Sequence, residues 1–358
     1  MNDFEPARLV VRLGASGANW RECVRRAGAA QVAGVVKADG YGLGMGPVAR
    51  ALGAQGCETF FVARLSEGAA LRGVLPRARI YVLDGAQAIP ALVAHNLTPV
   101  LNSLAEIAAW AKAAPGLGAA IHVDTGMNRL GLPPEELAIL AAEASVRLRG
   151  IPVTLVMSHL ASADDPSSPM NAVQLSRFRA ALAALPPAPA SLASSGGVML
   201  GKDYMFDRVR PGLGLYGGNP MNEKPNPFAT VAVLTGRILQ LRRVDKGETV
   251  GYGASFRAGR ESVLATVALG YADGLMRALG NRGAGAIGGV RAPIAGRVSM
   301  DLVTLDVSGV PGAELGGEVE FLGDTISLDE FAAAANTVPY EILTSLGARV
   351  PRHYEDAA

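Results

Sequence analysis

The sequence predicts an α/β fold, a (β/α)8 TIM-type barrel followed by a β-rich C-terminal domain, on three observations. From residue 33 onward, short apolar runs rich in Val, Ile or Phe alternate with longer Ala/Leu segments of helical period, the texture of a parallel sheet with helical crossovers. Eight such units fit into roughly 230 residues, the number and length of a closed barrel, whereas a doubly wound open sheet usually has fewer strands. Beyond about residue 230 the apolar runs follow one another with no long helix between them, which reads as a separate β-rich unit.

In order, the strand candidates are AGVVK (33–37), TFFVAR (59–64), RIYVLD (79–84), LTPVLN (97–102), AAIHVD (119–124), VTLVMSH (153–159), ASLASS (190–195) and DRVR (207–210). Helical periodicity fills 65–74, 103–114, 134–147 and 170–184 between them. The segment NPMNEKPNPF (219–228), with three prolines, is the natural connector. It divides the chain into a barrel at 1–225 and a second domain at 226–358, where ATVAVLTGRILQLRRV, SVLATVAL, LVTLDV and GEVEFLG read as strands and 327–335 as a short helix.

A chain of 358 residues is long enough for one large core and a smaller one. Its net charge is +1 and its longest cationic cluster, around Arg242 and Arg243, is brief. Neither a nucleic acid nor an anionic membrane is expected as partner; a small molecule is. Cys23 and Cys57 lack metal spacing and read as core thiols of a reducing compartment. The N-terminal residues do not combine a basic start with an apolar run, and no apolar run reaches membrane-spanning length. A cytoplasmic protein is expected. The histidines at 95, 122, 159 and 353 have no local ligand spacing, so no metal is expected.

Each strand candidate ends in a polar residue: Lys37, Arg64, Asp84, Asn102, Asp124, His159, Ser195 and Arg210. In a barrel these ends surround one mouth, so residues distant in sequence converge. Lys37 stands out, because the chain contains only five lysines among its 33 basic residues. A lysine there can be a salt-bridge partner, a phosphate ligand or a Schiff-base nucleophile. Context favours the last, since desolvation lowers an ammonium pKa and frees the amine to attack an aldehyde. The glycines that follow (40, 42, 44 and 46) let backbone approach a bulky ligand, and Tyr41 among them offers a hydroxyl.

VVKADGYGLG resembles the pyridoxal-phosphate lysine motif of the alanine racemases. Further matches run in order along nearly the whole chain: HVDTGMNRLGL, SHLASADD, SSGG, VRPGLGLYG, GYGASFRA, GRVSMDLVTLDV and PYEILTSLGARVPR. The resemblance implies pyridoxal 5'-phosphate as cofactor, a homodimer with shared active sites, and D-alanine supplied for peptidoglycan. Lys37 would carry the cofactor and act on one face of the substrate α-carbon, and Tyr252 of the partner subunit on the other. A phenol is a poor base near neutrality unless its anion is favoured, and His159 and Arg210 are the candidates for that help. Arg210 would also face the pyridine nitrogen. As a cation that keeps its own proton, it leaves the ring a weaker electron sink than an aspartate partner would. Tyr41, Ser195, Tyr340 and amides near Gly212 and Leu213 would hold the phosphate. Arg129 would bind the substrate carboxylate, and Met300 and Asp301 would line the entrance.

One position departs from the family. Several members have a lysine, open to carbamylation, two residues before the aspartate of the DTGM block, where this chain has His122. A water or a non-covalent anion is the expected support for Arg129. The alternatives are a racemase of broader specificity or one acting on serine, since one methylene is worth only ~1–3 kcal/mol in a small pocket. A decarboxylase of similar architecture would need motifs for a longer, charged substrate. A non-catalytic pyridoxal-phosphate carrier would lack the GYGASF and GRVSMD blocks present here.

Overall fold

Eight short strands, most of them apolar on both faces, close into a barrel that covers both faces of the sheet. The computed structural model describes residues 5–221 and 226–356. Seven parallel strands follow one another in sequence order, from Gly34–Val35 through Thr59–Val62, Arg79–Val82, Thr98–Leu101, Ala119–His122 and Val153–Met157 to Ala190–Ser191. The eighth, Arg208–Val209, pairs in parallel with Gln31–Val32, the start of the first strand. Its other edge meets the seventh through Arg210 N donating to Ala193 O at 2.9 Å and Asp207 N to Ala190 O at 3.1 Å. The expected barrel is closed.

Alternation along the eighth strand turns Arg208 and Arg210 to the same side, into the barrel, where both are buried. Between them lie Phe61 and Tyr81, stacked with centroids 4.7 Å apart and planes 11° from parallel. The Arg210 guanidinium sits 5.9 Å from the Phe61 centroid, and that of Arg208 5.9 Å from Tyr81. Outside, the helices form where the period predicts. In Leu104–Ala113, Ser103 caps the first turn by accepting from Glu106 N, and the inner face buries Ile107 and Trp110. Losing that cap costs roughly 1 kcal/mol.

The second domain is built on the long strand Ala232–Val244. Its first half pairs antiparallel with Ala7–Arg12 on one edge and with Glu318–Leu322 on the other, and its second half pairs antiparallel with Ser262–Val267. The assignment of residues 1–225 to the barrel therefore needs correction at its start. Ala7–Arg12 lies in the second sheet, between Ala232–Val244 and Arg352–Glu355, because Leu9 and Val11 point into that core. The 225/226 boundary falls at residues 222–225, outside the described residues.

The helix Pro339–Thr344 brings the second domain back to the barrel mouth. Its Leu343 carbonyl presses on Gly42, where a Cβ would come within 2.4 Å of the oxygen and where φ is +81°. Only glycine meets both demands at once.

Candidate active site

Lys37 begins a turn that no sequence pattern announces. Ala38, Asp39, Gly40 and Tyr41 all have left-handed φ, between 51° and 61°. For each non-glycine residue this costs about 1–2 kcal/mol, so the surroundings must impose it. Glu67 accepts from Ala38 N at 2.7 Å and, through its other oxygen, from Ala63 N at 2.8 Å. The Asp39 carboxylate accepts from Met45 N at 2.8 Å, and its carbonyl from Gly44 N at 2.8 Å. The turn carries Lys37 and Tyr41 into one cavity of about 330 Å³ at the C-terminal mouth of the barrel. Burial and the nearby Arg129 cation both lower the Lys37 pKa, which increases the share of free amine.

Nine of the predicted residues line this cavity: Lys37, Tyr41, Arg129, His159, Ser195, Arg210, Gly212, Leu213 and Tyr340. At one end Tyr41 is buried and stacks on Tyr216 at 4.5 Å, which is anchored by its own hydroxyl donating to Val35 O at 2.9 Å. The Ser195 hydroxyl accepts from Gly212 N at 2.9 Å and Gly214 N at 3.2 Å. Both its lone pairs are engaged, so its own hydrogen is left to donate. A Cβ at Gly212 would stand 2.2 Å from the Tyr41 oxygen. That end is a tight cradle of neutral donors, which suits a phosphate dianion, while the lysine amine suits an aldehyde. The residues fit pyridoxal phosphate.

Arg210 is held from behind by acceptors: the Ser191 hydroxyl, Ser158 O at 2.6 Å and, more weakly, Leu192 O at 3.5 Å. These take Nη1 and Nη2. Nε has no partner among the described residues, which leaves that donor for a ligand. Burial, and then the Arg208 charge, bring the Arg210 pKa down to about 9, still above neutrality, so the guanidinium keeps its proton. His159 approaches Arg210 Nη2 through Nδ1 at 3.5 Å, the outer edge of a hydrogen bond. Burial and the surrounding cations, Arg210 first, push its pKa down to about 3. The imidazole is neutral.

Two other strand ends, Asp124 and Asn102, have structural tasks. Asp124 accepts from Gly126 N at 2.8 Å and Met127 N at 2.9 Å, folding the loop whose tip is Arg129. Asn102 donates to Val100 O at 2.8 Å and Leu83 O at 3.3 Å, so its oxygen accepts from His122 Nδ1 at 2.8 Å. Burial lowers the His122 pKa to about 4, helped by Arg210. Arg129 has no hydrogen-bond or ion-pair partner among the described residues.

Tyr252, Met300 and Asp301 do not line this cavity. They lie on the second domain, Tyr252 71% and Met300 53% exposed. Asp301 accepts from Arg349 Nη2 at 2.7 Å, and Arg349 also clamps the buried Asp273. Sequence reading missed four lining residues, Val35, Phe61, Leu83 and Ser194. The first three carry no polar signal; Ser194 stood in the SSGG block.

The family description "Alanine racemase, N-terminal domain" matches residues 11–220, and "Alanine racemase, C-terminal domain" matches 231–354. The chain belongs to the alanine racemase family. The alanine racemase of Methylobacterium nodulans is 49% identical over 356 residues, 97% of this chain and 96% of that protein. The catabolic alanine racemase of Agrobacterium fabrum is 48% identical over 97% of this chain and 91% of its own. Among solved structures, the Bartonella henselae alanine racemase with covalently bound pyridoxal phosphate superposes with a TM-score of 0.94. It is 38% identical, and the match covers 98% of this chain and 100% of that one.

Proposed function

We propose that this chain is a pyridoxal-phosphate-dependent alanine racemase, an isomerase that interconverts L-alanine and D-alanine with Lys37 on one face of the α-carbon and Tyr252 of a second copy on the other. The observation that carries this reading is the meeting of Lys37, Arg210 and the Tyr41–Ser195–Gly212 cradle in one cavity, in a chain of this family. When bound, the cofactor supplies an aldehyde for the amine and a ring that withdraws electrons from the α-carbon.

The residues divide the remaining work. Tyr41, Ser195 and Tyr340 bind the phosphate, with the Leu213 region closing the cradle. Arg210 orients the ring by offering Nε–H and withholds a full proton transfer. Lys37, its amine favoured by burial, holds or takes the proton on its side. Arg129 binds the substrate carboxylate, a charge-assisted contact. His159 stays neutral beside Arg210 and adds no further positive charge.

A homodimer with shared sites is supported by the second domain's exposed apolar surface. Tyr252, Tyr271, Met300 and Leu302 there, with Val338 and Tyr340 by the mouth, are open in the single chain, a surface that a partner would cover. Met300 and Asp301 of a second copy would then border the entrance. Supply of D-alanine for peptidoglycan and a cytoplasmic location complete the reading; no described helix is long and apolar enough to cross a membrane. The test is a circular-dichroism assay with L-alanine, L-serine and larger amino acids. Interconversion of alanine is expected; bound cofactor without any racemisation would overturn the reading in favour of a carrier.

A further inference from the structure

The N-terminal mouth of the barrel opens into a second cleft of about 1240 Å³, against about 330 Å³ at the active-site mouth. It is lined by residues that begin barrel strands, among them Gln31, Thr59, Arg79, Thr98 and Arg208, and by the ends of the neighbouring helices. Its lining is charged almost entirely in one sense. Five arginines face it, and Glu58 is the single acidic residue among the lining side chains.

One of the five is already used. Arg72 donates to the carbonyls of Leu75, Pro76, Ala78, His95 and Asn96, tying the ends of two loops. The others are not neutralised. Arg208 is only 6% exposed, and its partners are the Gln31 carboxamide and, at 3.4 Å, the Tyr81 hydroxyl. Neither carries charge. Its Nε has no partner. Behind it the Tyr81–Phe61 stack leads to a second buried cation, Arg210, rather than to a carboxylate. Arg77 and Arg79, at the rim, have no ion-pair partner among the described residues.

A buried cation without a counter-charge is costly, and this cleft, which Arg208 lines, offers an anion a way to it. We propose that the cleft is a binding site for a small polyanion bearing adjacent phosphate groups, with Arg208 as its deep anchor and Arg77 and Arg79 gripping it at the rim. Guanidinium forks match phosphate oxygens two by two. Several forks spread around a wide opening call for more than one anionic group, whereas one carboxylate leaves most of them unmatched.

The test is calorimetric titration of the holoenzyme with pyrophosphate at low ionic strength, with the cofactor in place so that the cradle at the opposite mouth is filled. One pyrophosphate per chain is expected to bind. The double variant Arg77→Gln/Arg79→Gln should weaken it at least tenfold, while Arg242→Gln, an exposed arginine on the second domain, should leave it unchanged. Arg208→Gln, checked for folding by circular dichroism, should weaken it by as much or more. Absence of saturable binding to the wild type, or equal affinity in the wild type and the rim double variant, would overturn the proposal. So would a folded Arg208→Gln protein that binds as the wild type does.

Discussion

Acidification from pH 7.5 to 5.0 should destabilise the folded chain by roughly 4 kcal/mol through two imidazoles alone. His122 and His159 are neutral when folded, with pKa values lowered to about 4 and about 3, because both are buried beside Arg210 and other cations. In the unfolded chain each returns to an ordinary value near 6.5. Between these limits the unfolded state binds protons that the folded state refuses. The stabilisation is therefore whole above about pH 6.5 and declines as pH falls below it. At pH 5.0 the gap is roughly 1.5 pH units, worth about 2 kcal/mol per histidine at about 1.36 kcal/mol per unit. Both folded values lie below 5.0, so the figure does not depend on where below. His122→Gln should remove about half of the difference. The assay is urea denaturation of wild type and variant at pH 5.0 and 7.5. If the variant loses as much stability as the wild type over that interval, His122 is not a neutral buried group and the electrostatic account of the cavity fails.

Three further outcomes are expected. Lys37→Ala should abolish the reducible cofactor linkage and its visible absorbance; survival of either would name another lysine as anchor. Gly212→Ala places a Cβ 2.2 Å from the Tyr41 oxygen, so Tyr41 must leave the cradle. A tenfold or greater loss of cofactor affinity, with a stability cost of about 1–3 kcal/mol, should appear on equilibrium titration of the apoprotein, and unchanged affinity would remove Tyr41 from the phosphate site. Mass spectrometry of the peptide containing His122 should find no carbamate; a gain matching carbamylation would contradict the expectation that water or a non-covalent anion supports Arg129.

Much of the site was legible because chemistry and topology coincide at barrel strand ends. Lys37, His159, Ser195 and Arg210 are polar residues closing apolar runs, and all reach the cavity. The same reasoning overreached at Asn102 and Asp124, whose side chains satisfy local donors and acceptors instead. A short side chain at a strand end has backbone partners within reach, and sequence does not say which it will choose. The left-handed turn at Ala38–Tyr41 was illegible for a different reason. Alanine and tyrosine disfavour positive φ, and what holds them there, Glu67, stands on another helix. Long-range pairing hid the place of Ala7–Arg12, a six-residue strand whose partners, Ala232–Val244 and Arg352–Glu355, lie far downstream. Arg208 was read as one residue of DRVR, yet alternation along that strand buries two guanidiniums at once.

In the proposed mechanism, two groups from two chains flank one carbon. That arrangement is tested most directly by solvent-deuterium incorporation at the α-carbon of L-alanine and D-alanine, measured separately with holoenzyme of the Tyr252→Phe variant. Retained cofactor binding, with exchange surviving for one enantiomer and strongly depressed for the other, is the predicted result. Equal exchange into both enantiomers would contradict it.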